Sequence, residues 1–322
     1  MTVLSEMVSL EERGEVALLV VDNPPVNALS HGVRIGLYEG MKRIAADDSI
    51  RAAVLWCRGR TFIAGADIRE FGRPREDPQT NEIRSLMESS TKPMVAAIHG
   101  TALGGGLETA MACHYRVAVE DARLGLPEVK IGILPGGGGT QRLPRIVGVK
   151  KALEMITGGE PIGAREALDS GLIDEIVEGE LSAAAVAFAQ RAVAEGWPLK
   201  RVRDLADKVA EARAEPGIFD DHRRRIARKT RGFRAPENCI RAIEAAVSLP
   251  FEEGLRREQE LSAELVNGEQ AKAQRYYFFA ERAAQKIPDL QKETPSRRIE
   301  TAGVLGAGTM GGGIAMNFVN AG

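Results

Sequence analysis

The chain is poor in cysteine, in aromatic residues and in net charge, and each shortage excludes something. Cys57, Cys113 and Cys239 are odd in number and far apart, so they outline neither a disulfide framework nor a metal cluster, and they point to a reducing compartment. Lys and Arg total 43 against 45 for Asp and Glu. So small an imbalance lacks the basic excess of a nucleic-acid binder. No stretch approaches the roughly 20 apolar residues of a membrane span. The N-terminus, MTVLSEMVSLEERGEVALL, carries acids where a secretory signal has bases. Histidine, the default acid–base residue, is scattered: His31, His99, His114 and His222 have no Ser, Cys or Asp partner at a recognisable spacing, and a structural role is expected for His99.

What is abundant is glycine. It occupies 35 of 322 positions, well above the usual share of about 7%. The excess is clustered at 104–106, 136–139 and 306–313, where backbone is to be brought close to something. Between the clusters, short apolar runs alternate with helical periodicities. VALLVV (16–21), AVLWC (53–57), MVAAI (94–98), 115–119 and 173–177 read as strands; Ser30 is placed to cap a helix with Val33, Leu37, Met41 and Ile44 on one face. That alternation predicts an α/β fold with a sheet covered on both faces. After residue 180 only helices are expected, at 182–195, 237–248, 252–266 and 269–286, then a polar, proline-containing linker. The segment 222–234 carries seven Lys and Arg and no acid, and reads as a solvated helix face or as a phosphate contact.

Chemistry concentrates in 94–142. A strand runs into Gly104-Gly105-Gly106, where a helix opens with Glu108 in its first turn; free N–H groups at a helix start let a ligand approach. Glu128 follows within apolar flanks, and ILPGGGGTQRLPR makes a second glycine-rich entry into a helix. Taken singly, Glu108 could merely complement its helix dipole and Glu128 could be a buried acid paired with an Arg. Their co-occurrence beside glycine-rich backbone favours a site. The small-residue loop TFIAGADI, 61–68, could join it only through main-chain groups, and otherwise is a tight turn.

FIAGADI, HGTALGGGLE and GLPEVKIGILPGGGGTQRLPR, in this order and spacing, resemble the crotonase superfamily, specifically enoyl-CoA hydratases, over roughly residues 10–190. The later PFEEGLRREQELSAELVNGEQAKAQRYYFFAERAAQK and GVLGAGTMGGGIA are similar to the linker helix and dehydrogenase start of type-1 multifunctional β-oxidation enzymes. The resemblance implies a crotonase-type spiral of strand–strand–helix units over 1–195, a helical part and linker helix over 196–286, a linker over 287–298, and the truncated start of an NAD-binding Rossmann domain over 299–322. It implies hydration of trans-2-enoyl-CoA to 3-hydroxyacyl-CoA, with an accompanying 3-enoyl to 2-enoyl isomerase activity. Ala66 and Gly105 match the N–H donors of the oxyanion hole, and Glu108 and Glu128 the two catalytic acids, one activating water and the other protonating C2. Val26, Ala28, Ala64, Asp67, Ile68, Leu103, Gly104 and Pro127 are expected along the substrate, with Pro135 and Gly136 near its acyl end.

Acyl-CoA is then the substrate, no cofactor is expected for hydration, and NAD belongs only to a full-length parent. Gly306, Gly308 and Gly311 form a dinucleotide fingerprint, expected after a strand at Val304-Leu305 and not expected to bind by itself. No nucleic acid or membrane is expected as partner, and monomer and trimer both remain open. The expected compartment is the bacterial cytoplasm, with the peroxisome as alternative. Two competing functions stay on the table: an NAD-dependent 3-hydroxyacyl-CoA dehydrogenase and a non-catalytic CoA-binding protein.

Overall fold

A computed structural model describes residues 1–67, 70, 76–215, 217–284, 294–295 and 297–321. Ile68 and most of the expected linker lie outside them. Ten strands form two sheets among these residues. β1 (Thr2–Ser5), β2 (Val8–Arg13), β3 (Val16–Val21), β4 (Ala52–Cys57), β5 (Met94–Ile98), β7 (Tyr115–Ala118) and β10 (Glu175–Ile176) lie side by side in that order. β6 (Thr101–Leu103), β8 (Arg123–Gly125) and β9 (Ile162–Gly163) form the smaller sheet. The first three strands pair antiparallel; β3, β4, β5, β7 and β10 pair parallel.

The apolar runs are continuous rather than alternating because both faces of the large sheet are covered. In β3, Ala17, Leu19 and Val21 enter one core with Leu37, Ile44 and Leu107, while Val16, Leu18 and Val20 enter a second with Tyr115 and Phe188. On that second face Tyr115, Phe188 and Trp197 meet edge to face, ring centres 5.3–5.8 Å apart. The Tyr115 hydroxyl donates to the Pro198 carbonyl at 2.5 Å. Trp56 of β4 packs against the same core.

The expected helices appear as His31–Ala46, Gly105–Ala112, Leu181–Ala194, Ala235–Ser248, Phe251–Val266 and Glu269–Ala284. Ser30 does stand at the N-cap of the first, but its hydroxyl faces the Met7 sulfur and accepts from Asn23 instead of capping. The strand expected over 173–177 shrinks to Glu175–Ile176, because only those residues pair with β7. The N-terminal strands β1 and β2 were not expected at all. Three of the seven basic residues of the segment 222–234 pair with acids: Arg223 with Asp220, Glu237 and Glu244, Arg224 with Asp221, and Arg225 with Glu154.

The chain divides into two compact units, Met1–Phe278 and Phe279–Gly322. In the second, Gly308 precedes a helix at Thr309–Asn320, and Gly306 has φ +105°. No strand forms at Val304-Leu305. A strand needs a hydrogen-bonded neighbour, and the described residues of this unit supply none.

Candidate active site

The site begins with two backbone segments held at close range. Leu103, at the end of β6, donates to the Ile63 carbonyl at 3.1 Å and so joins the 61–67 loop to the turn before the helix Gly105–Ala112. Gly106 makes that approach possible: a Cβ there would sit 1.9 Å from the Ile63 oxygen. Gly65, at φ +119°, turns the loop, and Ala66 pairs with Leu29 in a parallel bridge. The Ala66 amide nitrogen then lies 3.4 Å from where a Cβ on Gly105 would stand. Ala66 is exposed and Gly105 buried, so the two amides meet at the boundary between solvent and core. Val26 accepts from the Ala64 amide at 3.1 Å. Ala28 accepts from Asn23. Asn27, at φ +53°, donates to the Arg58 and Thr61 carbonyls at 2.8 Å each. Asn27 therefore fixes the origin of the loop, a role that only its liking for left-handed turns could have suggested.

Two carboxyls flank this amide pair. Glu108 is buried, yet it does not serve its own helix dipole. Its Oε1 accepts from the amides of Gly137, at 2.7 Å, and Gly139, at 2.9 Å, both in the second glycine cluster. Its Oε2 lies 3.4 Å from Arg84 Nη2. Glu128 follows Pro127 in the short helix Pro127–Ile131. Its Oε2 is buried without a hydrogen-bond partner, and no ion pair of Glu128 occurs among the described residues. Burial, reinforced by the nearby charge of Glu108, raises the Glu128 pKa well above the usual carboxylate range. One acid is thus held by N–H donors and an arginine, while the other keeps a buried oxygen that no donor meets.

Two residues unforeseen in the sequence complete the cluster. Arg84, from the helix Thr80–Ser89, is buried and donates to the Gly105 carbonyl at 2.9 Å, to Asn81 at 3.0 Å and to Thr109 at 3.3 Å. Burial lowers its pKa, opposed by the charge of Glu108. Glu258, from the helix Phe251–Val266, is fully buried. It accepts from the Gly138 amide at 2.7 Å, the Thr140 amide at 3.0 Å and the Thr140 hydroxyl at 2.5 Å. Its pKa is pushed up to about 8, first by burial and then by Glu108. Both residues had a signal. Arg84 follows Ile83 on the buried face that also carries Met87, and Glu258 stands in the stripe Gly254, Leu261, Leu265.

Gly104, at φ +52°, lies against Glu128, the Leu103 carbonyl lies near Gly65, and Asp67 is buried beside Ala66 in sequence. Pro135 lies against Gly139 beneath Glu108, and Gly136 faces Ser262. Ile68 is outside the described residues. His99 meets the Gly59 carbonyl at 3.1 Å, and burial lowers its pKa. His114 accepts from the Met94 amide, with its pKa lowered to about 4 by burial. Neither is among the groups gathered around Glu108. Gly306, Gly308 and Gly311 stand in the separate second unit.

The geometry agrees with the chain's relatives. Residues 11–224 match the enoyl-CoA hydratase/isomerase family. The chain is 43% identical over 311 residues to the peroxisomal bifunctional enzyme of Danio rerio, covering 95% of this chain and 43% of that protein. It is 35% identical to the peroxisomal fatty acid beta-oxidation multifunctional protein MFP2 of Arabidopsis thaliana, covering 94% and 43%. It thus spans less than half the length of these relatives. Among solved structures, a carnitinyl-CoA dehydratase from Mycobacterium avium superposes with a TM-score of 0.63 at 31% identity, over 84% of this chain and 96% of that one. Fold, motifs and relatives agree: this chain belongs to the crotonase-fold enoyl-CoA hydratase/isomerase family.

Proposed function

We propose that the chain hydrates trans-2-enoyl-CoA to 3-hydroxyacyl-CoA, using Glu108 and Glu128 across the Ala66–Gly105 amide pair. The single observation that carries this reading is the pair of buried carboxyls, one held by amide donors and the other not, beside the close approach of Ala66 to Gly105. As water attacks C3, negative charge builds on the thioester oxygen. Amides aimed at that oxygen stabilise it, each by about 3–4 kcal/mol. Glu108, oriented by Gly137 and Gly139, takes the proton from the attacking water. Glu128, held protonated by its surroundings, gives its proton to C2. Hydration in this family needs no cofactor. Moving a 3-enoyl double bond to the 2 position needs only the amide pair and one acid able to carry a proton between C2 and C4, so isomerisation belongs to the same site.

The residues expected along the substrate, Val26, Ala28, Ala64, Asp67, Ile68, Leu103, Gly104 and Pro127, with Pro135 and Gly136 at the acyl end, belong to this reading. So does the division into a catalytic core over 1–195, helices to 286, a linker to 298 and a dinucleotide-binding start beyond it. The relatives are named as peroxisomal, which supports a peroxisomal setting and lends none to the bacterial cytoplasm. A 3-hydroxyacyl-CoA dehydrogenase activity belongs, on this reading, to a longer parent. The turn at Gly306–Gly311 fits a pyrophosphate: a Cβ on Gly311 would strike the Gly306 carbonyl at 1.9 Å, and Gly308 opens a helix that no side chain caps. NAD bound there by a parent would supply hydride acceptance. Nothing in the hydration step passes through it.

The test is loss of the conjugated enoyl thioester absorbance, measured with short-, medium- and long-chain trans-2-enoyl-CoA, with and without NAD. Hydration independent of NAD supports the proposal. A reaction seen only as NAD reduction would favour the dehydrogenase, and binding without turnover the scaffold.

A further inference from the structure

The glycine turn 137–140 is gripped from two sides. Its alternate amides point in opposite directions: Gly137 and Gly139 donate to Glu108, while Gly138 and Thr140 donate to Glu258. Gly138 has φ +92°, a left-handed conformation that favours glycine. Its three glycines bring no side chain to fix it, and Thr140 alone has one. A Cβ on Gly137 would stand 1.9 Å from Arg84, and one on Gly138 2.0 Å from Arg142. Its position is therefore set by the groups that accept its amides and by Arg84 and Arg142, which donate to the Gly137 carbonyl at 3.5 and 3.3 Å.

The helix Phe251–Val266 lies along the turn over two full turns of its own. Gly254 meets Gln141, Leu255 approaches Gly138, and Ser262 approaches Gly136. Glu258 is at the centre of that face, and both of its oxygens are taken up by the turn. The family match, moreover, ends at residue 224, so this contact comes from a part of the chain outside it.

We propose that Glu258 is a positioning residue for hydration: it locks the 137–140 turn so that the Gly137 and Gly139 amides present Glu108 to the attacking water. The proposal rests on the reading of Glu108 as the water-activating acid. It makes the helix Phe251–Val266 part of the catalytic apparatus and predicts a loss expressed in turnover rather than in substrate binding.

Glu258→Gln keeps the volume but turns an NH2 toward either the Gly138 amide or the Thr140 amide, leaving one donor unmet. In the full chain, with fold checked by circular dichroism, kcat for enoyl-CoA hydration should fall about 10- to 100-fold, the scale of a misplaced reacting group. KM should stay within about threefold. Because Glu258 acts through Glu108, the double variant Glu108→Gln/Glu258→Gln should be no slower than Glu108→Gln alone. Thr140→Val, which removes one hydroxyl donor to Glu258, should show a smaller loss with the same masking, and carries the test if Glu258→Gln fails to fold. Thr140→Ser should restore the wild-type rate. A folded Glu258→Gln or Thr140→Val variant with wild-type kcat, a loss confined to KM, or losses that multiply in the double variant would each overturn the proposal. Wild-type turnover in Glu108→Gln would instead overturn the reading beneath it.

Discussion

Gly104 and Glu128 are matched so closely that a single added carbon would collide. A Cβ on Gly104 would lie 2.9 Å from Glu128 Oε1, and the glycine's φ of +52° is itself costly for any other residue. The turn that leads into Gly105 is also the wall against which the second acid rests.

Glu128→Gln should therefore keep the wall and lose the proton. The amide is isosteric but cannot donate to C2, and general acids contribute about 100- to 10,000-fold. Steady-state hydration assays should show a loss in that range with the fold intact. Turnover within a few-fold of wild type would remove Glu128 from the mechanism. Glu108→Gln should be comparably impaired in hydration. If isomerisation leans on one acid, the two variants should differ in residual isomerase rate, and identical losses would contradict that division.

Ala66→Pro deletes one N–H of the converging pair without altering charge. The barrier should rise by about 3–4 kcal/mol. Proline also fixes φ, so circular dichroism must first show a folded protein. Unchanged turnover in that folded protein would mean the developing oxyanion is held elsewhere.

Arg84→Met should be costly to stability as well as to rate. The guanidinium bridges the Gly105 carbonyl, Thr109, Asn81 and Glu108 within the core. Removing one partner of a buried ion pair costs about 3–5 kcal/mol, measurable by denaturant titration. Lysine should not restore it, since one ammonium cannot reach all four partners. A loss below about 1 kcal/mol would show the pair to be dispensable.

Stability should fall as pH rises through the range in which Glu258 titrates. Below the unfolded value, 4.5, both states are protonated and the group contributes no pH dependence. Between there and about 8, the unfolded chain releases a proton that the folded chain keeps, so folding is penalised progressively. The buried Glu128, raised in the same direction, adds to the slope. The stability of wild type relative to Glu258→Gln should fall as pH rises across this window. A wild type that gains stability relative to the variant as pH rises would reverse the assigned sign.

The close approach of the 61–67 loop to the turn before the helix Gly105–Ala112 left a mark in the sequence. It relies on Gly104 and Gly106, and those glycines cluster visibly. The strands of the parallel sheet were legible for a related reason: burial on both faces leaves apolar runs such as VALLVV. Arg84 and Glu258 were not found, because a charged residue in an amphipathic helix is usually solvated. Only its register with Ile83 and Met87, or with Leu261 and Leu265, marks it as buried, and its partners lie up to 120 positions away. β1 and β2 were missed because TVLS and VSLEER are short and half polar, as antiparallel strands with one covered face are.

The edge-to-face cluster of Tyr115, Phe188 and Trp197 has an optical consequence. Trp197 and Trp56 are the only two tryptophans in the chain, and both pack on the sheet face opposite Glu108 and its helix. Intrinsic fluorescence and near-ultraviolet dichroism therefore report the packing of that second core. Every substitution discussed above can be checked for unfolding from the opposite face of the sheet.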